Sequence, residues 1–443
     1  MTRRRWRAVA ALSGAAVLLL LCGPAGAAGR LSFEDLIANL KSPNAKTRQE
    51  AANALGKSRR REAVTPLAAL VRDPDGRVRM EVVRALRELR DPSAVPALVT
   101  SITDGEARVR AEAIQALVEI YTERERAGAV ERFLDLFEDD FDGTPLPVYL
   151  KIEPTVIQAL AGALRDEDAD IRRAAAEAIG VLGGTQAVDQ LVTALQDPDH
   201  GVRGEAAVAL ARVRTTAQGK ALIPLLADDS AGVRNRVLWA LGTLRVKDAG
   251  GPLRELFEAN RRKDQGVRVL ASLARIADPA QADLFRELVQ DSDPEKRRLA
   301  VEGLGRIADA SLLPAFKKDY QRERSEELRL AYSFALTRLG DRAFLDSIVL
   351  TLPSRTLGRR ARSYVLEMGR DVLPDLYPYL TDPSADVRAA LCDLIAAIGD
   401  PEAIPRLQPL VNDPSADVAD HANRAVERLR RVSGARTTSG QQP

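Results

Sequence analysis

The chain has 443 residues, of which 29% are charged and only 4% are aromatic, and its formal net charge is +2. With two cysteines and two histidines, it lacks the residues for a disulfide framework or for a zinc or iron site of three or four ligands. The length suits several globular domains or one long repeat array, and the many Ala, Leu, Val and Arg residues favour helices that pack through small side chains.

The first 28 residues have the features of a cleaved secretory signal peptide. Several arginines precede an apolar stretch from Ala8 to Leu21, and Ala25-Gly26-Ala27 is a typical small-residue cleavage site. The apolar stretch is shorter than the roughly 20 residues that span a membrane as a helix. We therefore expect a periplasmic or secreted protein that has no transmembrane segment once residues 1–28 are removed.

Two other export signals stay open. The sequence LLLC at residues 19–22 resembles a bacterial lipobox, in which Cys22 would carry a lipid, although Leu21 is bulkier than the residue that this motif uses. The sequence TRRRW at residues 2–6 resembles a twin-arginine signal. General secretory cleavage would leave Cys392 as the last cysteine, so that no intrachain disulfide could form.

A repeated phrase indicates how the rest of the chain is organised. DPSADV occurs at residues 382–387 and again, 31 residues later, at 413–418. Eight places after the Val of each related phrase stands an aliphatic residue, and successive members of this column are 29 to 32 residues apart. The column comprises Leu55, Leu86, Leu117, Val148, Ile179, Leu210, Leu241, Leu273, Leu304, Leu336, Val365, Ile395 and Val426. These concordant positions predict units that bury their apolar faces against their neighbours.

Each unit predicts two helices joined by a tight turn. The first helix often opens on Pro, and turns such as DPDGRVR (73–79) lead into the second helix. A residue that can cap a helix stands three places before the Val position, at Asp75, Asp168, Asp199, Ser230, Asp293, Ser384 and Ser415. Glycines typical of a helix end follow, at Gly56, Gly183, Gly340, Gly369 and Gly399.

The phrases VRNRVLWALG (233–242) and IRRAAAEAIG (171–180) resemble the HEAT-repeat family, in its short form known from phycobilisome-lyase-type proteins. The resemblance implies an all-α fold: an α-solenoid of about 13 stacked two-helix HEAT-like repeats over residues 29–431, forming a curved superhelix with one long core. It also implies that the recurring Asp and Arg side chains form a ladder of hydrogen bonds along the stack.

Two segments depart from the repeat. The unit at about 121–154 is degenerate, and its acidic stretch at residues 138–143 has Asp140, Asp142 and Gly143 in the places that a calcium-binding loop requires. Tyr149 stands where that loop has Glu, which favours a solvated acidic loop without calcium. Residues 432–443 are polar, and we expect them to form a disordered tail.

The sequence contains no nucleophile elbow, P-loop or dinucleotide-binding fingerprint. Deoxyhypusine hydroxylase, an enzyme built of HEAT-like repeats, holds iron with His-Glu pairs, whereas His200 is followed by Gly201 and His421 by Ala422. We therefore predict a protein with no metal, no cofactor and no catalytic residues. A HEAT-like lyase or accessory factor is the alternative.

The distribution of charge indicates a binding face. The net charge is −7 over residues 29–200, +9 over 201–370 and −4 over 371–443. In HEAT arrays the second helix lines the concave side, and positions 2, 6 and 10 after the Val lie opposite its buried face. In the basic segment, these and adjacent positions hold the candidate partner-binding residues Arg212, Arg236, Trp239, Arg268, Arg275, Arg306, Phe334 and Arg338.

The sequence thus predicts a non-catalytic exported scaffold that binds a protein or peptide with acidic segments through its concave face. Trp and Arg are enriched at binding hot spots, and a basic groove attracts acidic partners. The alternative for the candidate residues is structural, with Trp239 packed against a neighbouring helix and the arginines solvating a helix face. Nucleic acid is not expected as a partner, because the chain without its signal is net negative.

Overall fold

The structure, a computed structural model, describes residues 31–125 and 152–439. Within these ranges all regular secondary structure is helical, which confirms the predicted all-α class. The predicted signal peptide at residues 1–28, the acidic stretch at 138–143 and most of the degenerate unit at 121–154 lie outside the described residues.

The described ranges contain 23 α-helices. Their bounds are α1 Phe33–Asn39, α2 Ala45–Lys57, α3 Val64–Ala68, α4 Gly76–Leu89, α5 Val95–Ser101, α6 Ala107–Glu125, α7 Pro154–Ala163, α8 Ala169–Leu182, α9 Val188–Ala194, α10 His200–Arg212, α11 Ala231–Thr243, α12 Gly250–Asn260, α13 Asp264–Ile276, α14 Ala282–Leu288, α15 Pro294–Ile307, α16 Leu313–Arg322, α17 Glu326–Arg338, α18 Leu345–Thr351, α19 Gly358–Met368, α20 Leu373–Leu376, α21 Ala385–Ile398, α22 Ile404–Leu407 and α23 Ala416–Ser439. Short 3-10 turns precede or follow many of the shorter helices.

These elements form twelve consecutive pairs, in each of which a shorter outer helix is followed by a longer inner helix. The inner helices are α2, α4, α6, α8, α10, α11, α13, α15, α17, α19, α21 and α23. The outer element before α11 is a 3-10 helix, Gly219–Ala227. One further predicted unit, with Val148 in its column, falls in residues 126–151 and lies outside the described part of the chain.

The repeat column forms the buried spine of the stack. Every described member of the column is at most 2% exposed. Full burial of such a side chain stabilises a fold by about 1.5–3 kcal/mol, so the column is a main source of stability. The core nevertheless consists of two clusters, one from Leu40 to Leu339 and one from Leu330 to Leu429, which meet at α17. The expectation of one long core is wrong at this point, because α17 and α19 pack only loosely on each other.

An arginine–aspartate ladder joins successive units, as the family resemblance implies. Arg79 donates from Nε to Asp104 Oδ2 at 2.6 Å and from Nη2 to Oδ1 at 3.0 Å, while its Nη1 donates to the carbonyl oxygen of Asp73 at 2.9 Å. The same arrangement joins Arg48 to Asp73, Arg172 to Asp197, Arg203 to Asp228 and Arg388 to Asp413. Such bidentate, charge-assisted hydrogen bonds fix the geometry of one unit on the next.

Each ladder aspartate also closes the turn of its own unit. Asp73 accepts a hydrogen bond from the Asp75 N–H at 2.9 Å, and Asp75 caps α4 by accepting from the Arg77 N–H at 2.9 Å. The predicted caps Asp168, Asp199 and Asp293 accept backbone hydrogen bonds in the same way, whereas Ser230 and Ser384 stand at the N-cap without one. One carboxylate therefore connects its own turn to the arginine of the preceding unit.

The predicted helix-end glycines divide into two kinds. Four of them have a positive φ, namely Gly183, Gly340, Gly369 and Gly399. Gly56, in contrast, lies inside α2, where a Cβ would stand 2.7 Å from Ala85 Cα in α4. The prediction that Gly56 ends its helix is therefore wrong. This glycine permits the close approach of two inner helices.

The ladder is interrupted in the middle of the chain. Arg234 and Arg297 still donate to carbonyl oxygens of their own turns, at 2.6 and 2.9 Å. The positions 25 residues further on, however, hold Ala259 and Arg322, which offer no carboxylate. The units between about 234 and 360 are therefore joined by other contacts.

In this middle part, ion pairs cross the concave side of the superhelix. Arg306 in α15 donates to the carboxylate of Glu367 in α19, with Nε–Oε1 at 2.9 Å and Nη2–Oε2 at 3.0 Å. Arg245, just after α11, reaches the same carboxylate at 3.1 Å, although residues 245 and 367 are 122 positions apart. The inner helix α19 consequently lies over the concave face of α11 to α15.

At the C-terminal end, α23 continues to Ser439. The helix thus extends into residues 432–443, which we predicted to be a disordered tail. None of the helices in the described ranges combines the length and the apolar character that a membrane crossing requires.

Candidate binding cavity on the concave face

The inner helices from α8 to α15 enclose a cavity of about 1410 Å³ together with residues 355–364. Its floor comes from α11, α13 and α15, and α19 with the residues just before it forms its roof. We refer to this space as the concave cavity. It exists because α19 lies across the concave side instead of continuing the regular stack.

The repeat register explains which side chains face the concave cavity. The buried column occupies one face of each inner helix, so positions 2, 3, 6 and 10 after the Val face the opposite way. In α11 these positions include Asn235, Arg236 and Trp239, and all three line the cavity. The predicted relation between repeat position and concave surface therefore holds in this part of the chain.

Five of the eight candidate residues come together around the concave cavity: Arg236, Trp239, Arg268, Arg275 and Arg306. The other three, Arg212, Phe334 and Arg338, are not among the residues that line it. Arg212 is half-buried and pairs with Glu205 at 3.7 Å. A binding role for these residues stays a prediction.

The two aromatic candidates are less accessible than their positions suggest. Trp239 is only 7% exposed and forms part of the core, although one edge of the side chain reaches the cavity wall. Phe334 is fully buried, stacked on Tyr364 with ring centroids 4.3 Å apart. Position 6 does direct Phe334 away from the buried column, but α19 covers it. The expectation that Phe334 borders an open groove is therefore wrong.

A buried ionic cluster fastens α19 to α15. Glu302 accepts hydrogen bonds from Arg298 and from the Tyr364 hydroxyl, the latter at 2.5 Å, and pairs with Arg306 at 3.2 Å. Glu367 completes the cluster through Arg306 and Arg245. We call these residues the α15–α19 cluster. Removal of any one charge would leave its partners buried and uncompensated.

The α15–α19 cluster sets the charge of its members firmly. Burial alone would raise the pKa of Glu302, but the guanidinium groups of Arg298 and Arg306 and the hydrogen bond from Tyr364 lower it to about 2. Burial would likewise lower the pKa of Arg306, and the carboxylates of Glu367 and Glu302 raise it above its ordinary value. All of these side chains are therefore in their charged forms at neutral pH, except the Tyr364 phenol, whose pKa is raised by burial and by Glu302.

The cavity lining is strongly basic. Nine arginines and three glutamates line it, together with His200. Three of these arginines have carboxylate partners in or beside the cavity: Arg298, Arg306 and Arg360, the last of which bonds Glu327. Arg173, at the rim, pairs with Asp170 at 2.9 Å.

Four further arginines, which we call the open arginines, are Arg236, Arg268, Arg355 and Arg359. Within the described ranges, no carboxylate lies within ion-pair distance of any of them. Arg268 and Arg355 are exposed, and Arg236 and Arg359 are half-buried. Sequence reasoning missed Arg355, because it precedes α19 in a stretch that has no repeat register.

The chemistry of the described residues is that of binding. They contain no group of three or more side chains that could hold a metal ion. Cys392 is buried in α21, and burial raises its pKa to about 12, so it stays a thiol at neutral pH. His421 bonds Asp393 at 2.8 Å, far along the chain from the concave cavity.

A family model described as HEAT repeats matches residues 33–142, 154–242 and 355–435, which together make up more than half of the chain. The unmatched stretch between residues 242 and 355 lies in the part where the ladder is interrupted. No curated protein matches the sequence.

Similar solved structures include three of low sequence identity. An engineered protein has 20% identity and a TM-score of 0.36 and covers 90% of this chain and 98% of its own. The complex of CpcE and CpcF of phycocyanin lyase from Nostoc sp. PCC7120 has 22% identity and a TM-score of 0.31, with 64% and 98% covered. YibA of E. coli has 16% identity and a TM-score of 0.41, with 63% and 93% covered.

Proposed function

Because this chain belongs to the HEAT-repeat family and its inner helices enclose a basic cavity, we propose that it is a non-catalytic exported scaffold that binds a protein or peptide with acidic segments through its concave face. The observation that carries the proposal is the excess of arginine in the concave cavity. Nine arginines face three glutamates there, and four of the arginines have no described carboxylate partner.

The surface outside the cavity offers less for a partner to bind. Among the described residues, the large apolar side chains that are exposed are Leu31 and Leu350, and neither lines the concave cavity. An apolar interface of the size that stable complexes use would need many such residues close together. Electrostatic complementarity therefore supports an acidic partner, whose association would weaken as salt screens the charges.

Export is part of the proposal and rests on residues 1–28. Fractionation of the native cell, followed by N-terminal sequencing of the protein, tests it directly. We expect the protein outside the cytoplasm, with an N terminus close to Ala28. A cytoplasmic protein that retains Met1 would contradict export, and a lipid on Cys22 would identify the lipobox alternative.

Binding through the concave face is tested by photo-crosslinking in the native cell. A photoreactive amino acid replaces Asn235, which is exposed on the cavity floor, and in a control chain replaces Glu258, which is exposed on the outer helix α12. We expect a covalent adduct with a protein that has an acidic segment at position 235 only. The same adducts at both positions, or none at 235, would contradict the proposal. The HEAT-like lyase alternative has no described residue set in its favour and is not proposed.

A further inference from the structure

The arginines of the concave cavity fall into two sets with different roles. We propose that the open arginines, Arg236, Arg268, Arg355 and Arg359, form a clamp that holds an extended peptide segment through its Asp and Glu side chains. The segment lies between the floor, formed by α11 and α13, and the roof, formed by residues 355–364. This inference rests on the proposed function and names the ligand and the residues for the same cavity.

The first set of arginines is already used within the protein. Arg306 holds Glu367, Arg298 holds Glu302 and Arg360 holds Glu327. These contacts are between inner-helix arginines and carboxylates that arrive from another unit or another turn. They show that the concave surface binds carboxylates with guanidinium groups, in the geometry that makes such hydrogen bonds strong.

The second set has the same chemistry but no internal carboxylate. Arg236 is influenced by Glu205 at longer range, since it helps to oppose the rise that burial causes in the pKa of Glu205, but the two do not form an ion pair. No described acid takes a comparable position for Arg268, Arg355 or Arg359. Two of the four stand on the floor and two at the roof, so a ligand that satisfies all four must lie between the walls.

The size of the concave cavity favours a peptide segment over a small metabolite. Its volume of about 1410 Å³ is larger than the roughly 300–1,000 Å³ of typical small-molecule sites. The lining extends along several units, from Arg173 to Glu327 on the floor side. A chain in an extended conformation can follow such a path and present side chains to both walls.

The three glutamates in the lining distinguish a peptide from a nucleic acid. Glu295, Glu302 and Glu327 would repel a continuous phosphate backbone, whereas a peptide can place its carboxylates only where the open arginines lie. Trp239 is 7% exposed and gives little surface on which a base could stack. The clamp therefore suits spaced carboxylates on a protein chain.

The test uses the purified full chain with Trp6→Phe, so that Trp239 is the single indole and its emission reports events at the cavity wall. The probe is a ten-residue peptide of alternating Glu and Gly, and calorimetry measures its affinity at low and at moderate salt. We expect saturable binding that weakens with salt and a change in Trp239 emission. An equivalent peptide of Gln and Gly should not bind.

The decisive variant carries Arg236→Gln, Arg268→Gln, Arg355→Gln and Arg359→Gln together. Exposed ion pairs each contribute a fraction of a kcal/mol, so the loss of four should weaken binding by roughly tenfold to a hundredfold. The control carries Arg72→Gln, Arg108→Gln, Arg165→Gln and Arg262→Gln, which remove the same charge from exposed positions outside the cavity. It should keep the affinity within about twofold. Circular dichroism and the thermal unfolding midpoint verify that both variants are folded.

Other outcomes would overturn the clamp in distinct ways. Equal loss in the two variants would mean that overall charge, not the open arginines, attracts the peptide. Tighter binding of a single-stranded oligonucleotide than of the Glu peptide would refute the ligand class. A peptide that fails to bind, together with a specific adduct at position 235 in the cell, would refute the clamp and leave the proposed function in place. Failure of both would remove the two together.

Discussion

The two kinds of repeat in this molecule use arginine differently. In the units up to Arg203, and again at Arg388, the arginine beside the Val position bonds an aspartate of the next unit. In the units between, arginines at positions 2 and 10 bond glutamates across the concave side, as Arg298 and Arg306 do. Ion pairs along the stack give a regular rod, and ion pairs across it give a cavity.

The difference shows where the family pattern can be relaxed. The stretch from 243 to 354, which the family model leaves unmatched, lacks the ladder but keeps the buried column, with Leu273, Leu304 and Leu336 at most 1% exposed. Burial of the column is therefore sufficient to maintain the stack. Freed from the ladder, the middle units can direct their polar side chains to the concave face.

Acid should affect all the rungs together and is expected to have the largest effect. The pKa of Asp104 is lowered, since the hydrogen bonds from Arg79 and the Glu106 N–H outweigh the effect of burial, and the pKa of Asp228 is lowered mainly by Arg203. Carboxylates with a lowered pKa in the folded state stabilise it at neutral pH, and this contribution is lost as the pH falls below the ordinary value of 3.8. Urea unfolding midpoints from pH 7 to pH 2.5 should therefore fall steeply below about pH 4.

The same acid titration distinguishes the two regions. Because the pKa of Glu302 is about 2, the α15–α19 cluster keeps its charge to lower pH than the ladder does. With Trp6→Phe, the emission of Trp239 should change at a lower pH than the total helicity measured by circular dichroism. Coincident transitions would contradict this separation.

Substitution of Glu302 should be the most damaging single change to the middle region. Glu302→Gln leaves Arg298 and Arg306 without their buried carboxylate, which we expect to cost about 3–5 kcal/mol in the free energy of unfolding. Glu295→Gln is the control, because this carboxylate also bonds Arg298 but is 40% exposed, and about 1 kcal/mol or less should be lost. Urea unfolding measures both. Equal effects would mean that the α15–α19 cluster contributes nothing through its burial.

In the regular region, a single rung should matter less than the α15–α19 cluster. Asp228→Asn weakens the bidentate bond from Arg203, and a loss of about 1.5–3 kcal/mol is expected for hydrogen bonds to charged groups. The neighbouring Asp229→Asn changes the same chemistry on an exposed side chain and should stay within about 0.5 kcal/mol. If the two variants unfold at the same urea concentration, the ladder does not stabilise the stack.

The smallest effect is expected for the open arginines. Arg236→Gln combined with Arg268→Gln removes no ion pair, so the free energy of unfolding should change by about 0.5 kcal/mol or less. Thermal unfolding checks this prediction, with Glu302→Gln as the destabilised reference. A large loss of stability would show that these arginines hold the fold and are not reserved for a ligand.

The sequence predicts whatever depends on one unit and its neighbour. The column from Leu55 onward, the caps such as Asp75 and the ladder follow from spacing within about 30 residues, and the structure has all three. The position of α19 could not be predicted, because it depends on small rotations added over several units. For the same reason the sequence pointed Phe334 toward an open groove, whereas Tyr364 covers it.

The contact between Arg245 and Glu367 also has a consequence for how the molecule forms. Ladder rungs close loops of 25 residues, whereas this pair closes one of 122, and the entropy lost on closure increases with loop length. Folding in a repeat array can start in any unit and spread to its neighbours, so this distant pair must form after the units between them. A nascent chain that ends before residue 367 has a complete floor and no roof. Competence to grip a partner therefore arrives late in synthesis, when most of the rod is already stable.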